Sequence, residues 1–505
     1  MRMVLRGLRR FDERLPIASM GRSALAKVFP DHWSFMLGEI ALYSFMILVG
    51  TGVYLSLFFE PTTAERLYTG SYEPLRGELL SGAYASTVEL SWDVRGGLLM
   101  RQAHHWAAHI FIGAIVLHLA RIYFTGMFRK PREPNWTVGV TMLLLAMLNA
   151  FAGYSLPDDL LSGTGLHIFY SVTLSIPVVG AWLAFLVFGG DFPGTAIIER
   201  LYVGHILLIP VLIGVLISVH LFFVIRQKHT HFAGPGRSNA NVVGSRMYPT
   251  YTLRTLSLLF FVAATVFLLG AFVQINPVWI FGEFETATIL SPSVADWYVG
   301  WIEGALRLFP PLEFTVFGYL IANQFWAGIA LPLATVAMLY AWPFVDRKIT
   351  GDRGTHHVTG RPRDCPLRTA IGVAVLTFYT LLVCAAGQEM LVQYFGWSIG
   401  TVRAVLRVLV LVLPVINGMI AYVLARALLR SEKEGVLALS RKDLMLSWRA
   451  DRRRVEPMEG QSPRPRTDDE ERGLHPAETT PEEPERDLSE VPSWIRSSRT
   501  GGRTE

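Results

Sequence analysis

Apolar residues in this chain run in long blocks, not in the three-and-four spacing of a half-buried helix or the alternation of a strand. Eight such blocks, each long enough for a helix to cross roughly 30 Å of hydrocarbon, fall near 36–59, 102–124, 137–155, 203–225, 253–272, 315–341, 369–386 and 403–427. A helix that is apolar all round has to be buried or lipid-facing, so the pattern predicts an all-α, polytopic transmembrane bundle with eight spans. Between the third and fourth blocks, LHIFYSVTLSIPVVG (166–180) is shorter and interrupted, which predicts a helix lying along a membrane surface. Beyond residue 430 the pattern stops, and an arginine-, glutamate- and proline-rich composition predicts a disordered tail. The expected divisions are a basic segment at 1–34, four spans in 35–240, four more in 241–430, and the tail at 431–505.

Composition agrees: of 505 residues 51% are hydrophobic and 17% charged, which excludes an ordinary soluble protein. The first apolar run begins only at Phe35, after Arg2, Arg6, Arg9, Arg10 and Arg14, so no cleavable leader is expected. Lysine and arginine collect in the N-terminal segment and in the short loops 128–134, 226–254 and 346–363. Loops 60–100, 156–201, 273–314 and 387–402 hold most of the loop carboxylates. The positive-inside rule then predicts a multi-pass protein of the cell membrane with both termini cytoplasmic, surrounded by lipid and without nucleic acid as a partner. Only two cysteines occur, Cys365 and Cys384, too few for a disulfide framework or an iron–sulfur ligand set within the chain.

Two of the spans carry paired histidines. His104 and His118 are fourteen residues apart, about 21 Å of rise and about 40° short of four turns; His205 and His220 are fifteen apart, about 22 Å and about 60° past four turns. Each pair therefore shares a helix face. Histidine in a bilayer is costly and faces a partner, and two helices running the same way would set His104 beside His205 near the outer surface and His118 beside His220 near the inner one. Two non-covalent b haems, each held by two histidines, would use all four. His105 and His109 point about 140° and about 180° away from His118, so they are expected to pack or hydrogen-bond rather than ligate.

Glycine repeats the fourteen-residue period in the flanking spans, at Gly38 and Gly52 and again at Gly139 and Gly153. Membrane helices use glycine for close packing, but two pairs on the histidine period suit flat macrocycles lying against both helices. Together with Arg101-x-x-His104, His118-x-x-Arg121 and GYSLP (153–157), these positions resemble cytochrome b of the quinol:cytochrome c oxidoreductases, over roughly residues 30–430. The fifteen-residue gap and the stretches FTGMFRKPRE and YSLPDDLLSGTG are similar to the actinobacterial branch.

That resemblance implies that the first four spans enclose the two haems, the outer of low and the inner of high potential, with Arg101 and Arg121 meeting haem propionates. It implies quinol oxidation at the outer face. One electron would pass to a Rieske iron–sulfur subunit and a cytochrome c subunit, the other through the haems to quinone near the cytoplasm, coupled to proton translocation. A homodimer, contact with a terminal cytochrome c oxidase in a supercomplex, and menaquinone as the quinone are further implications. The family's Pro-Glu-Trp-Tyr signature stands here as Ala295-Asp296-Trp297-Tyr298, with Glu303 following, so Asp296, Tyr298 and Glu303 are the expected catalytic groups. At the inner surface Arg226, Lys228, His229 and His231 serve a proton-accepting site and simple positive-inside anchoring equally well. The rival reading is a dihaem membrane anchor of another quinone-linked reductase, without bifurcation, though an anchor has no need of an outer quinol-deprotonating loop.

Overall fold

The computed structural model describes residues 25–30, 32–288, 290, 295–433 and 455–457. Most of the basic N-terminal segment and most of the expected tail lie outside the described residues. Among those described, eight helices are long and apolar enough to cross a membrane. In chain order, with those shorter helices between them that have eight residues or more, they are α1 Leu37–Ser56, α2 Gly82–Trp92, α3 Gly97–Thr125, α4 Glu133–Tyr154, α5 Leu160–Leu174, α6 Gly180–Phe188, α7 Ile197–Gln227, α8 Met247–Phe272, α9 Trp297–Leu308, α10 Asn323–Thr350, α11 Pro366–Ala386, α12 Gln388–Phe395 and α13 Ile399–Lys433. The eight spans are α1, α3, α4, α7, α8, α10, α11 and α13. Their outward faces are large apolar side chains such as Leu207, Phe260 and Phe261, all more than half exposed, as a lipid-facing surface requires.

Local chemistry sets the ends and bends. Helix α3 stops at Gly126, whose φ of 68° is open to glycine and strained for most other residues. Asp159 caps α5 by accepting the Ser162 N–H while the Ser162 hydroxyl accepts the Asp159 N–H. In α7 and α10 a wide, π-type turn, Gly204–Leu208 and Trp326–Ala330 respectively, comes just before Pro210 or Pro332. Proline supplies no N–H and crowds the preceding turn, and a locally wider turn accommodates both defects.

Helix α1 packs along α3, which also packs on α8, while α4 packs on α7; α9, α11 and α13 form a second packed group. Phe111, Ile112 and Ala114 of α3, Leu143 and Ala146 of α4, Ile209 and Ile213 of α7, and Ala41 of α1 make one buried apolar layer. That layer lies midway along α3, between His104 and His118. The non-helical segments gather at the two ends. At one, the antiparallel hairpin Glu65–Leu67 with Leu79–Ser81, in register Glu65 to Ser81, meets Glu283, which accepts the Ser81 N–H at 2.5 Å. At the other, Arg132 donates to the Lys228 carbonyl at 2.9 Å, and His231–Phe232 pairs with Val358–Thr359. The three basic loops 128–134, 226–254 and 346–363 thus meet at one end of the bundle.

Candidate functional site

The four spaced histidines come together in two pairs. The His104 and His205 ring centroids are 6.0 Å apart, and those of His118 and His220 are 6.4 Å apart, each pair at an interplanar angle of 69°. Two imidazoles on opposite sides of one metal, with metal–nitrogen bonds of about 2 Å, stand roughly 6 Å apart centroid to centroid. Second partners fix the first pair of rings: His104 Nδ1 donates to the Thr51 hydroxyl at 2.9 Å, and His205 Nδ1 to the Asn149 carbonyl at 2.8 Å. The Thr51 proton is already committed to the Ile47 carbonyl, so its oxygen is the acceptor. Both rings then keep an Nε2 lone pair, the arrangement in which a ligating histidine is oriented from behind.

The spacing of the second histidine helix has a local cause that periodicity alone misses. His205 lies inside the wide turn Gly204–Leu208, which absorbs one residue. Fifteen residues then act as fourteen, and the offset of about 60° past four turns becomes about 40° short, matching α3. Pro210, five residues after His205, is the signal in the sequence that could have shown it.

Around these rings the small residues and the arginines take distinct places. A Cβ added at Gly52 would stand 3.2 Å from His104 Cε1, one at Gly38 3.3 Å from His118 Cε1, and one at Gly153 2.3 Å from His205 Cε1. Gly139 differs, with nothing within 4 Å of its added Cβ. Arg101 gives one N–H to the Asn276 carbonyl at 3.2 Å, yet its buried Nε and Nη2 have no partner. Arg121 lies 3.8 Å over the Phe35 ring with its buried Nε and Nη2 likewise unpartnered. Buried guanidinium N–H groups left without acceptors fit anionic groups such as haem propionates. The donor set, the ring separations and these orphaned N–H groups all fit a b haem at each pair.

A second cluster forms where α9 meets α3. Asp296 Oδ2 accepts from His105 Nε2 at 3.0 Å and from the Tyr298 hydroxyl at 2.8 Å. Trp297 Nε1 donates to His109 Nδ1 at 3.1 Å, which places the His109 proton on Nε2, 3.8 Å from Asp296 Oδ1. His105 and His109 are stacked, centroids 4.9 Å apart. Burial works against the Asp296 charge, but the His105 hydrogen bond, the electrostatic pull of the facing His105 and His109 rings and the Tyr298 hydroxyl outweigh it and hold the carboxyl below its ordinary value. Glu303 is about two turns further along α9. Its Oε2 accepts the Ala295 N–H at 3.0 Å and its Oε1 accepts Arg307 Nε at 3.0 Å. Burial pushes the Glu303 carboxyl up, opposed by Arg307 and the Ala295 N–H.

His167, on the helix expected to lie along the surface, stacks on Phe192 at 4.5 Å. His231 donates from Nε2 to the Asn241 carbonyl at 2.9 Å and joins the loop pairing at the other end. His229 packs edge-on against Phe29 and keeps a buried, unpartnered Nε2.

Residues 109–283 match the family described as cytochrome b(N-terminal)/b6/petB. The chain is 45% identical over 428 residues to the cytochrome bc1 complex cytochrome b subunit of Streptomyces coelicolor, covering 84% of this chain and 78% of that one. It is 46% identical over 423 residues to the protein of the same description from Mycobacterium tuberculosis, covering 84% and 77%. A solved structure titled hyperthermophilic respiratory Complex III shares the fold, with a TM-score of 0.61 at 18% identity, over 82% of this chain and 99% of that one.

Proposed function

Since this chain belongs to the cytochrome b subunits of cytochrome bc1 complexes, we propose that it oxidises quinol, menaquinol in the branch it resembles, at the outer face of the cell membrane. One electron goes to a Rieske iron–sulfur subunit and a cytochrome c subunit and the other to quinone near the cytoplasm, with protons released outside and taken up inside. The activity belongs to the whole complex, here read as a homodimer that a terminal cytochrome c oxidase can join. Two b haems, bound at His104/His205 and His118/His220, supply the one-electron carriers that such a split needs.

The observation that carries this reading is the stacking of two facing histidine pairs along one bundle beside a buried carboxylate cluster at the His104 end. Quinol oxidation needs a group within hydrogen-bond reach of a quinol hydroxyl, and Asp296, with Tyr298 on the same oxygen, is placed to take that proton. Asp296 is held ionised by its donors, so it presents a negative charge to the quinol hydroxyl. Arg101 and Arg121 neutralise anionic groups at the two depths, and Gly38, Gly52 and Gly153 keep the space beside the rings clear. Gly139 is read as part of the same frame on its spacing alone.

The purified complex should show two non-covalent b haems in a dithionite-reduced spectrum. Quinol with oxidised cytochrome c should transiently reduce the b haems more than quinol alone, because the second electron enters the chain only after the first has left. A plain dihaem anchor would show no such dependence on cytochrome c, and that result would overturn the proposal.

A further inference from the structure

We propose that Glu303 is a positioning residue: braced by Arg307 and Glu389, it fixes the backbone of the Ala295-Asp296 turn and so sets where the Asp296 carboxylate stands. This rests on the reading of Asp296 as the group that takes the quinol proton.

The geometry is a three-residue brace. Glu303 is 7% exposed, and both its oxygens are engaged: Oε2 by the Ala295 N–H at 3.0 Å, Oε1 by Arg307 Nε at 3.0 Å and Nη2 at 2.5 Å. Arg307 Nη1 holds both oxygens of Glu389 on α12 at 2.5 Å. The brace thus runs from α12 through the last turn of α9 to the residue just before Asp296. Asp296 starts α9, yet its side chain makes no cap bond to the helix, because it is turned toward His105 and Tyr298. Something else has to fix this helix start, and the Glu303 contact to Ala295 does so from within the same helix.

Two features of the sequence acquire one explanation. Aspartate reaches one methylene less far than the glutamate of the family signature, so its backbone must be placed more closely. The signature's proline has no N–H to give, whereas Ala295 does, and that N–H is the one Glu303 holds. The shorter carboxylate and the extra donor arrive together. For Glu303 to take the proton itself, quinol would have to compete with the Ala295 N–H or with Arg307, whereas Asp296 Oδ1 has His109 no nearer than 3.8 Å.

The test uses the whole complex, with the reduced haem spectrum of each variant as a check on assembly. Glu303→Gln keeps an oxygen to accept the Ala295 N–H and should retain turnover within about twofold. Glu303→Leu cannot accept it, and a displacement of about 1 Å at a reacting group costs up to about 100-fold, so kcat should fall by about 10- to 100-fold with quinol KM little changed. Ala295→Pro removes the N–H that Glu303 holds while leaving Glu303, Arg307 and Glu389 in place, and should reproduce that loss, which keeps the idea testable if the leucine variant does not assemble. Asp296→Asn should fall by about 100-fold or more. Normal turnover in Glu303→Leu, or a Glu303→Gln loss as deep as that of Glu303→Leu, would overturn the positioning role. Normal turnover in Asp296→Asn would overturn the reading of Asp296 on which it depends.

Discussion

His105 gives its Nε2 proton to Asp296 across 3.0 Å, although the preceding residue, His104, faces another way, toward His205. Adjacent residues on a helix lie about 100° apart, so one turn of α3 can serve both the histidine pair and the carboxylate cluster. Replacing His105 with phenylalanine keeps the ring and removes the donor. The expected result is two intact b haems by spectrum and quinol turnover lowered about 10-fold, since Asp296 keeps only the Tyr298 hydroxyl within hydrogen-bond distance. Loss of a haem in this variant would show that His105, not its neighbour, is the ligand.

Gly153 offers a sharper test of the outer pair. An added Cβ would lie 2.3 Å from His205 Cε1, closer than any real contact, so Gly153→Ala must displace the ring. Gly139 has open space at the same test. Absorption spectra should therefore show the outer haem lost or weakened in Gly153→Ala and both haems present in Gly139→Ala. Equal spectra would remove the glycine frame from the argument.

The eight spans and the facing of His104 with His205 and of His118 with His220 were legible because they depend on period and length, which a linear sequence carries directly. The expectation that His105 and His109 serve in hydrogen bonds was legible from their phase; their acceptors were not, since Asp296 is 191 residues from His105 in the chain. The turn that brings His205 into line is a local departure from helical spacing, hidden from a fixed-period count and signalled only by Pro210. Arg307 and Glu389 escaped notice for another reason: on the short helices α9 and α12, outside the long apolar spans, a charged residue is ordinarily solvated, and only packing shows these two bracing Glu303. Gly139, on the same period as Gly153, shows that period alone does not establish contact.

The inner pair gives a prediction about depth. His118→Leu or His220→Leu removes one of the two rings 6.4 Å apart, so that a b haem bound there would be held by one histidine only. Each variant should lose the inner haem and keep the outer one, halving the haem content found by extraction. Retention of both haems in low-spin form would mean that another residue ligates at that depth.

The last prediction turns on Asp158, at the same end of the bundle as Arg101. Burial pushes its carboxyl up to about 7 from the ordinary 3.8, with the Ser81 hydrogen bond opposing and the charges of Glu283 and Asp159 adding to the rise. An unfolded Asp158 gives up its proton near its ordinary value, and the folded one holds it until about pH 7. Its contribution therefore favours the folded state fully below about pH 4 and is lost as pH rises toward 7, because charging the buried carboxyl then opposes folding. Asp158 also has a positive φ of 54°, a conformation asparagine adopts readily. Asp158→Asn is neutral at every pH, so the drop in melting temperature between pH 5 and pH 8 should be smaller in this variant than in the parent complex. Thermal melts at the two values decide it: an unchanged difference would place the Asp158 carboxyl in solvent with an ordinary affinity for protons.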